Sequence, residues 1–371
     1  MLTSLPPLFH FTESYHDANQ FYLSGFLCPD PFAVLETGRG KVVLGVSSME
    51  EGRARKEARA WKVVSLPLGK GKTFTRVIAD FLRGNGAATI RVPPSFPLGL
   101  ARDLAAEGIR IEVDGESLAS RRRKKSKKQI LAMEKIQRTC EQTMESVRSL
   151  LAGCPVRNGL LFYQGHPLTA ERLRAFIEVF LLERGLETSD TIAAPGRGGA
   201  DPHWRGEGPV RSGVPIMIDI FPRSRSSRYH SDMTRTFVVG RASKSVMEMH
   251  RAVCEAQDAA FAALKKGVFL PEVHRAVCHV LEKRGFGVPK KGRPPRRGLL
   301  HGTGHGLGLD VHELPSVSTV GDTFEPGDVV TIEPGVYDRR VGGVRIEDVA
   351  ACMPDGTVRF LTRFPRDLEI L

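Results

Sequence analysis

The period of the hydrophobic positions changes near residue 120. Before that point, short apolar runs rich in β-branched residues recur at 31–36, 41–46, 88–92 and 109–113. Helical stretches at 48–60 and 74–83 lie between them, and Gly84, Gly86 or Gly108 punctuate the ends. These features predict a small α/β domain over residues 1–118. From Ile130 onward, Met133, Ile136, Cys140, Met144, Val147 and Leu151 recur every three or four positions, on one face of a long helix ending near Gly153. Thr169 is placed to cap a second helix that runs to Gly185. A third spans 243–266, and Pro271 fits the first turn of a fourth that stops near Gly285. Strand-like segments fall at 214–221, 234–239, 329–333 and 344–351. The second domain, 129–371, is therefore α+β, and residues 119–128 form a basic linker between the two.

Composition adds bounds. With 41% hydrophobic and 26% charged residues the chain is that of a globular protein, and its 371 residues suffice for two cores. No stretch of eighteen apolar residues marks a membrane span, and Met1–His10 lacks the pattern of a secretory signal, so the expected address is the cytoplasm. Six cysteines are scattered with no C-x-x-C pair, which fits reduced, buried thiols and not a zinc–thiolate site. The net charge of +12 comes largely from two runs, 121–128 (RRRKKSKK) and 290–297 (KKGRPPRR). Neither is interleaved with aromatic residues that would stack on bases, so no specific nucleic-acid partner is expected. The runs read as a solvated linker and a solvated surface loop, and replacing Arg121–Lys125 with Gln is expected to leave turnover unchanged within a factor of a few. Gly69–Lys72 lacks the spacing of a phosphate loop.

Chemistry is concentrated in the second half. Asp219 follows Pro-Ile-Met-Ile, Glu333 follows Val-Val-Thr-Ile, and Glu347 follows Val-Arg-Ile; Asp232 and the segment HGTGHGLGLDVHE (301–313) lie between them. A carboxylate in or at the end of an apolar strand is costly unless it is paired or binds a metal. Four converging carboxylates repel, and two divalent cations bring the cluster near neutrality. A set of oxygens with a single imidazole suits Mn²⁺ first, with Co²⁺, Zn²⁺ or Fe²⁺ as alternatives. Two such ions share a bridging water and lower its pKa, which yields a hydroxide nucleophile at neutral pH. The glycines at 302, 304, 306 and 308 read as positions that let the backbone approach the metals closely and adopt positive φ.

The ordered set D…D…HGxGHxxGxxxHE…EPG…RIED resembles the pita-bread metallopeptidases, the family of Xaa-Pro aminopeptidase, prolidase and methionine aminopeptidase, over about residues 127–364. The resemblance implies a pita-bread catalytic domain and a metal-dependent exopeptidase. It makes Asp219 a bidentate ligand of one ion, Asp232 and Glu347 bridges, and His305 and Glu333 the remaining ligands of the other. Glu333 also resembles the general base and acid, His312 the residue that steadies the tetrahedral intermediate, and His203 a substrate-side histidine. His301 is expected to be structural, and Arg345 to be a partner of a ligand carboxylate. NQFYLSGF (19–26) and PDPFAVLE (29–36) more loosely resemble the N-terminal domain of creatinase and prolidase relatives, which favours Xaa-Pro peptides as substrates and a homodimer. The alternatives are a creatinase-like amidinohydrolase, which lacks most of these ligands, and a binding module that has lost catalysis. Two departures stand out. The stretch from Asp219 to Asp232 is long and basic (Arg223, Arg225, Arg228), and the insertion 289–297 precedes the histidine motif, where its charge would rim the cleft.

Overall fold

The computed structural model describes residues 5–38, 40–67, 73–115, 117–188, 190–290 and 293–371; Gly69–Lys72 and part of the 290–297 run lie outside them. The chain divides into two compact units, Met1–Arg122 and Arg123–Leu371.

The first unit is built on a six-stranded sheet in the order Lys62–Ser65, Val42–Val46, Phe32–Glu36, Leu8–Thr12, Thr89–Val92, Arg110–Val113. Successive residues of these strands point to opposite faces. Phe9, Ala33, Leu35 and Val43 join one apolar cluster with Ile78 and Leu82 of the Phe74–Gly84 helix, and Leu8, Val34 and Leu44 join another with Leu23 and Phe26. The strand Leu8–Thr12 was not expected from the sequence, because His10 interrupts its apolar run. His10 is buried there, and its Nδ1 meets Gln20 Oε1 at 3.1 Å.

The second unit holds two helix-covered halves. In the first, strands Ile192–Pro195, Ile216–Ile220, Met233–Val239 and Glu369–Ile370 lie in that order. Helices Lys127–Ala152 and Ala170–Leu182 bury Met144, Val147, Leu173 and Ile177 in one cluster with Ile216, Ile218 and Phe237. In the second half, strands Glu313–Val317, Gly304–Gly306, Val329–Ile332, Asp348–Cys352 and Val358–Phe360 form one sheet, and Arg297–Gly298, Gly335–Asp338 and Gly342–Arg345 another. Helices Lys244–Ala263 and Leu270–Lys283 bury Val253, Ala256, Val273 and Val277 with Val330, Ile332, Val344 and Ile346. The expected caps are in place: Thr169 accepts from Arg172 N–H, and Pro271 sits in a first turn. Ser126 and Gln129 form a reciprocal capping box at the head of the long helix. No helix among the described residues is long and apolar enough to cross a membrane.

Three readings need correction. The 344–351 segment is two strands in different sheets, broken at Ile346 and Glu347. The run 121–128 is not solvated throughout. Arg121 is paired with Glu36 at 2.6 Å, Arg123 with the fully buried Asp328 at 2.8 Å, and the Lys125 side chain is only 1% exposed. Helix Ser117–Arg123 carries part of the run. Finally, none of the glycines at 302–308 has positive φ. Their constraint is room, since a Cβ on Gly304 would lie 1.9 Å from Thr331 O and one on Gly306 would lie 2.3 Å from Leu314 O.

Candidate metal centre

Each half of the second unit delivers two carboxylates from strand ends. Asp219 is in the Ile216–Ile220 strand, opposite Thr234, and Asp232 immediately precedes the Met233–Val239 strand. Glu333 follows the Val329–Ile332 strand, its N–H donating to Thr303 O at 2.7 Å. Glu347 occupies the break between Gly342–Arg345 and Asp348–Cys352, where its N–H crosses to Thr234 O at 3.1 Å and its Oε2 accepts from Thr234 Oγ1 at 2.8 Å. His305 lies in the short Gly304–Gly306 strand, with its N–H on Thr331 Oγ1 at 3.1 Å.

These side chains converge. One ligand atom each from Asp232, His305 and Glu347 lies within 4.8 Å of the others. His305 Nε2 is 3.7 Å from Asp232 Oδ2 and 3.5 Å from Glu333 Oε1. Burial, reinforced by Asp219 and Glu333, raises Asp232 well above the usual carboxylate range. Burial and the neighbouring acids do the same to Glu347. Glu333 is pushed up to about 7 by burial, with Arg345 opposing the rise and Asp219 adding to it. His305 is pushed down to about 4 by burial and by His312, so the imidazole is neutral and free to ligate.

Divalent ions fit this arrangement. Asp219 Oδ1 and Asp232 Oδ1 are buried with no hydrogen-bond partner among the described residues. A buried carboxylate oxygen without a donor is costly, and a cation supplies what the protein withholds. The cationic side chain of Arg345, which reaches the cluster, is already committed. Arg345 contacts Asp219 Oδ2 through Nη2, Thr234 Oγ1 through Nε at 3.1 Å, and Tyr337 OH through Nη1 at 2.9 Å.

The histidines separate by exposure. His301 is held at both nitrogens, to Gly302 O and Tyr337 OH at 2.7 Å each, and its Nδ1 stands 3.8 Å from Glu333 Oε2. Burial lowers it to about 3, so it is a neutral strut beside the acids. His312 and His203 are exposed at residue level, unlike the carboxylates. The His312 ring meets the His305 ring edge-on at 4.3 Å, and the field of His203 reaches both His312 and His301. Both therefore flank the acid cluster from its open side.

Two positioning residues escaped the sequence reading. Gln137, buried on the long helix, donates to Asp232 O at 3.1 Å and accepts from Asp232 N at 3.3 Å. Gln257, fully buried on the Lys244–Ala263 helix, donates to Ile332 O at 3.1 Å and Ile346 O at 3.4 Å, the residues just before Glu333 and Glu347. The signal was present in both cases: an amide in an otherwise apolar helix face must find buried partners.

The basic segments are largely engaged with acids. Arg223 and Arg228 each reach Glu187 at 2.8 Å, which staples the hairpin between the two aspartates to the Leu186–Glu187 strand. Arg297 stacks on Phe286 at 4.5 Å and approaches Asp338 at 3.3 Å, while Lys290 pairs with Glu282 at 3.2 Å.

A sequence profile of metallopeptidase family M24 matches residues 132–352. The chain is 29% identical over 361 residues to the Xaa-Pro dipeptidase of Pyrococcus horikoshii, with 94% of this chain and 92% of the relative covered. Its match to the Xaa-Pro dipeptidase of Pyrococcus furiosus is 31% over 235 residues, 61% of this chain and 64% of that one. Among solved structures, the prolidase of Pyrococcus horikoshii OT3 superposes with a TM-score of 0.81 at 25% identity, covering 98% of this chain and 96% of that one. The X-Pro aminopeptidase of Thermotoga maritima superposes with a TM-score of 0.83 at 25% identity, covering 98% and 97%. The expected fold, a smaller N-terminal α/β region followed in the chain by a pita-bread region, is the fold of these structures.

Proposed function

The chain belongs to metallopeptidase family M24, and on that premise we propose that it is a metal-dependent exopeptidase hydrolysing Xaa-Pro peptide bonds. The observation that carries the reading is the meeting of Asp232, His305 and Glu347 within 4.8 Å, with unpartnered oxygens on Asp219 and Asp232.

Asp219, Asp232, His305, Glu333 and Glu347 would hold two divalent ions, Mn²⁺ first, because the donors are hard oxygens with a single imidazole. When bound, such ions supply a water nucleophile at neutral pH and polarise the scissile carbonyl. The rest falls to side chains. Glu333 takes the proton from the attacking water and returns it to the departing proline nitrogen. His312 donates an N–H to the carbonyl oxygen as negative charge develops there. His203, exposed on the same side, steadies the substrate. Arg345 fixes the Asp219 carboxylate, and Tyr337 in turn holds Arg345 and His301. The six cysteines are free, which fits the cytoplasmic address, and a homodimer completes the proposal.

Activity of the Mn²⁺-loaded protein on Ala-Pro, Ala-Pro-Ala and Met-Ala-Ser tests this. Cleavage of either proline peptide ahead of Met-Ala-Ser supports the reading, and the preferred length separates dipeptidase from aminopeptidase. Preference for Met-Ala-Ser overturns it.

A further inference from the structure

Lys125 belongs to the basic run that the sequence presented as solvent-facing, yet it is among the most enclosed charges in the molecule. Its backbone N–H donates to Gly327 O at 2.9 Å. Gly327 has φ of 92°, and a Cβ there would stand 3.0 Å from both Lys125 N and Lys125 O. The main chain at Lys125 is thus fixed before the capping box at Ser126 starts the long helix. The side chain, 1% exposed, ends 2.9 Å from Glu313 Oε2, whose own side chain is 4% exposed.

Glu313 uses its other oxygen differently. Oε1 accepts the backbone N–H groups of Leu309 and Asp310, both at 3.0 Å. A Cβ on Gly308 would lie 2.3 Å from Oε2, so the carboxylate lies flat against the loop where no side chain fits. From the opposite side, His230 N–H donates to Gly308 O at 2.8 Å. His312 is the residue immediately before Glu313, and its ring meets that of His305.

We infer that Lys125 is a positioning residue that acts through Glu313 and the 308–312 loop to aim His312 at the reacting carbonyl, an inference that rests on the role proposed for His312 above. The physical case turns on desolvation. A buried ion pair repays little of the cost of taking both charges out of water, so its retention is better explained by the arrangement it enforces than by stability. A carboxylate that accepts two backbone N–H groups on one oxygen and an ammonium at 2.9 Å on the other is gripped from both ends. Without the ammonium the buried carboxylate loses a donor to that oxygen or shifts to find another. Either change loosens the loop whose last residue is His312.

The test compares Lys125→Met, His312→Ala and the double variant, each loaded with Mn²⁺ and assayed on Ala-Pro, with metal content and hydrogen exchange of residues 306–313 read in parallel. Lys125→Met is expected to keep its metal and to lose about 10–100-fold in kcat, the usual cost of removing a group that orients a catalytic one. KM is expected to move by less than about threefold, because ground-state binding is not what is lost. In the double variant the Lys125 change is expected to cost almost nothing further, since there is no imidazole left to aim. Exchange across 306–313 rises, while that of the Ala170–Leu182 helix does not. Lys125→Arg restores most of the rate. Multiplicative losses in the double variant, or unaltered exchange across 306–313, overturn the inference. If Lys125→Met does not fold, Glu313→Gln replaces it, with the same non-additivity expected. A wild-type protein inactive on every Xaa-Pro peptide sinks the proposed reaction, and the exchange measurement still decides whether Lys125 orders the loop.

Discussion

The two halves of the second unit solve the same problem with different chemistry. Each carries a pair of acids to the end of a sheet, and each grips them with one glutamine from a covering helix: Gln137 on Asp232, Gln257 on the residues before Glu333 and Glu347. The aspartate half offers two carboxylates that each keep a buried oxygen without a donor among the described residues, while Arg345 holds the other oxygen of Asp219. The glutamate half adds, beside the candidate ligands His305 and Glu347, the groups proposed to exchange protons or hydrogen bonds with a substrate: Glu333 and the imidazole of His312. The difference separates holding charge from moving protons, and it ranks what substitutions do.

The largest effect belongs to the charge-holding pair. Asp232→Asn is expected to abolish activity and to drop bound Mn²⁺ sharply from about two per chain, because one of the proposed ligand carboxylates is lost. Elemental analysis after dialysis checks this, and a variant that keeps full metal breaks the division. His312→Ala is expected to act in the opposite way. Metal content and fold stay near wild type, while kcat falls by about 10²–10³, the typical cost of removing one donor to a developing oxyanion. Loss of metal on His312→Ala would make it a ligand, and undiminished turnover would make it structural.

Next come the two glutamines, whose near-equivalence sharpens the comparison. Gln137→Leu leaves the N–H and C=O of Asp232 without their amide partner, and Gln257→Leu does the same to the carbonyls of Ile332 and Ile346. Each is expected to cost about 1–3 kcal/mol of stability for the buried polar groups left unpaired. Metal affinity is expected to fall by about 10–100-fold in both, since outer partners orient ligands. Chemical denaturation and metal titration of the two variants measure this. A loss confined to one of them would show that the halves are not held by equivalent means.

The sequence singled out these acids because chemistry there contradicts its surroundings: an acid at the end of Val-Val-Thr-Ile or Val-Arg-Ile must be paired or bind a metal, and the order of the motifs proposed them as ligands. Helices with a clear apolar face were equally legible, their ends marked by Thr169 and Pro271. What was hidden depends on partners distant in the chain. The Leu8–Thr12 strand became visible only once Gln20 satisfied His10. The break at Glu347 follows from its crossing to Thr234, 113 residues away. Lys125 looked like its basic neighbours because nothing local announces that Glu313, 188 residues on, will bury it. Charge is legible from sequence, whereas its burial is a tertiary property.

The smallest effect is a slope with pH, and it asks whether the acid cluster carries protons when no ion is present. In the metal-free protein Glu333 sits at about 7 against an ordinary 4.5, and Asp232 and Glu347 are raised as well, chiefly by burial. A carboxyl group whose pKa is higher in the folded chain contributes stability that is fully present below its unfolded value. That contribution is lost as pH rises through the folded value, because the folded state binds the extra proton. For Glu333 the window runs from about 4.5 to about 7. Divalent ions select the ionised carboxylates, so proton competition fades over the same window and metal binding strengthens. His305, at about 4, does not compete there. Both trends have one sign: the gap in melting temperature between Mn²⁺-loaded and chelator-treated protein is expected to widen from pH 5 to pH 8. Differential scanning calorimetry at unit steps of pH measures it, and Glu333→Gln is expected to flatten the trend. A gap that is constant, or widest at pH 5, would mean that the carboxylates are ionised without metal and that the fold already neutralises them.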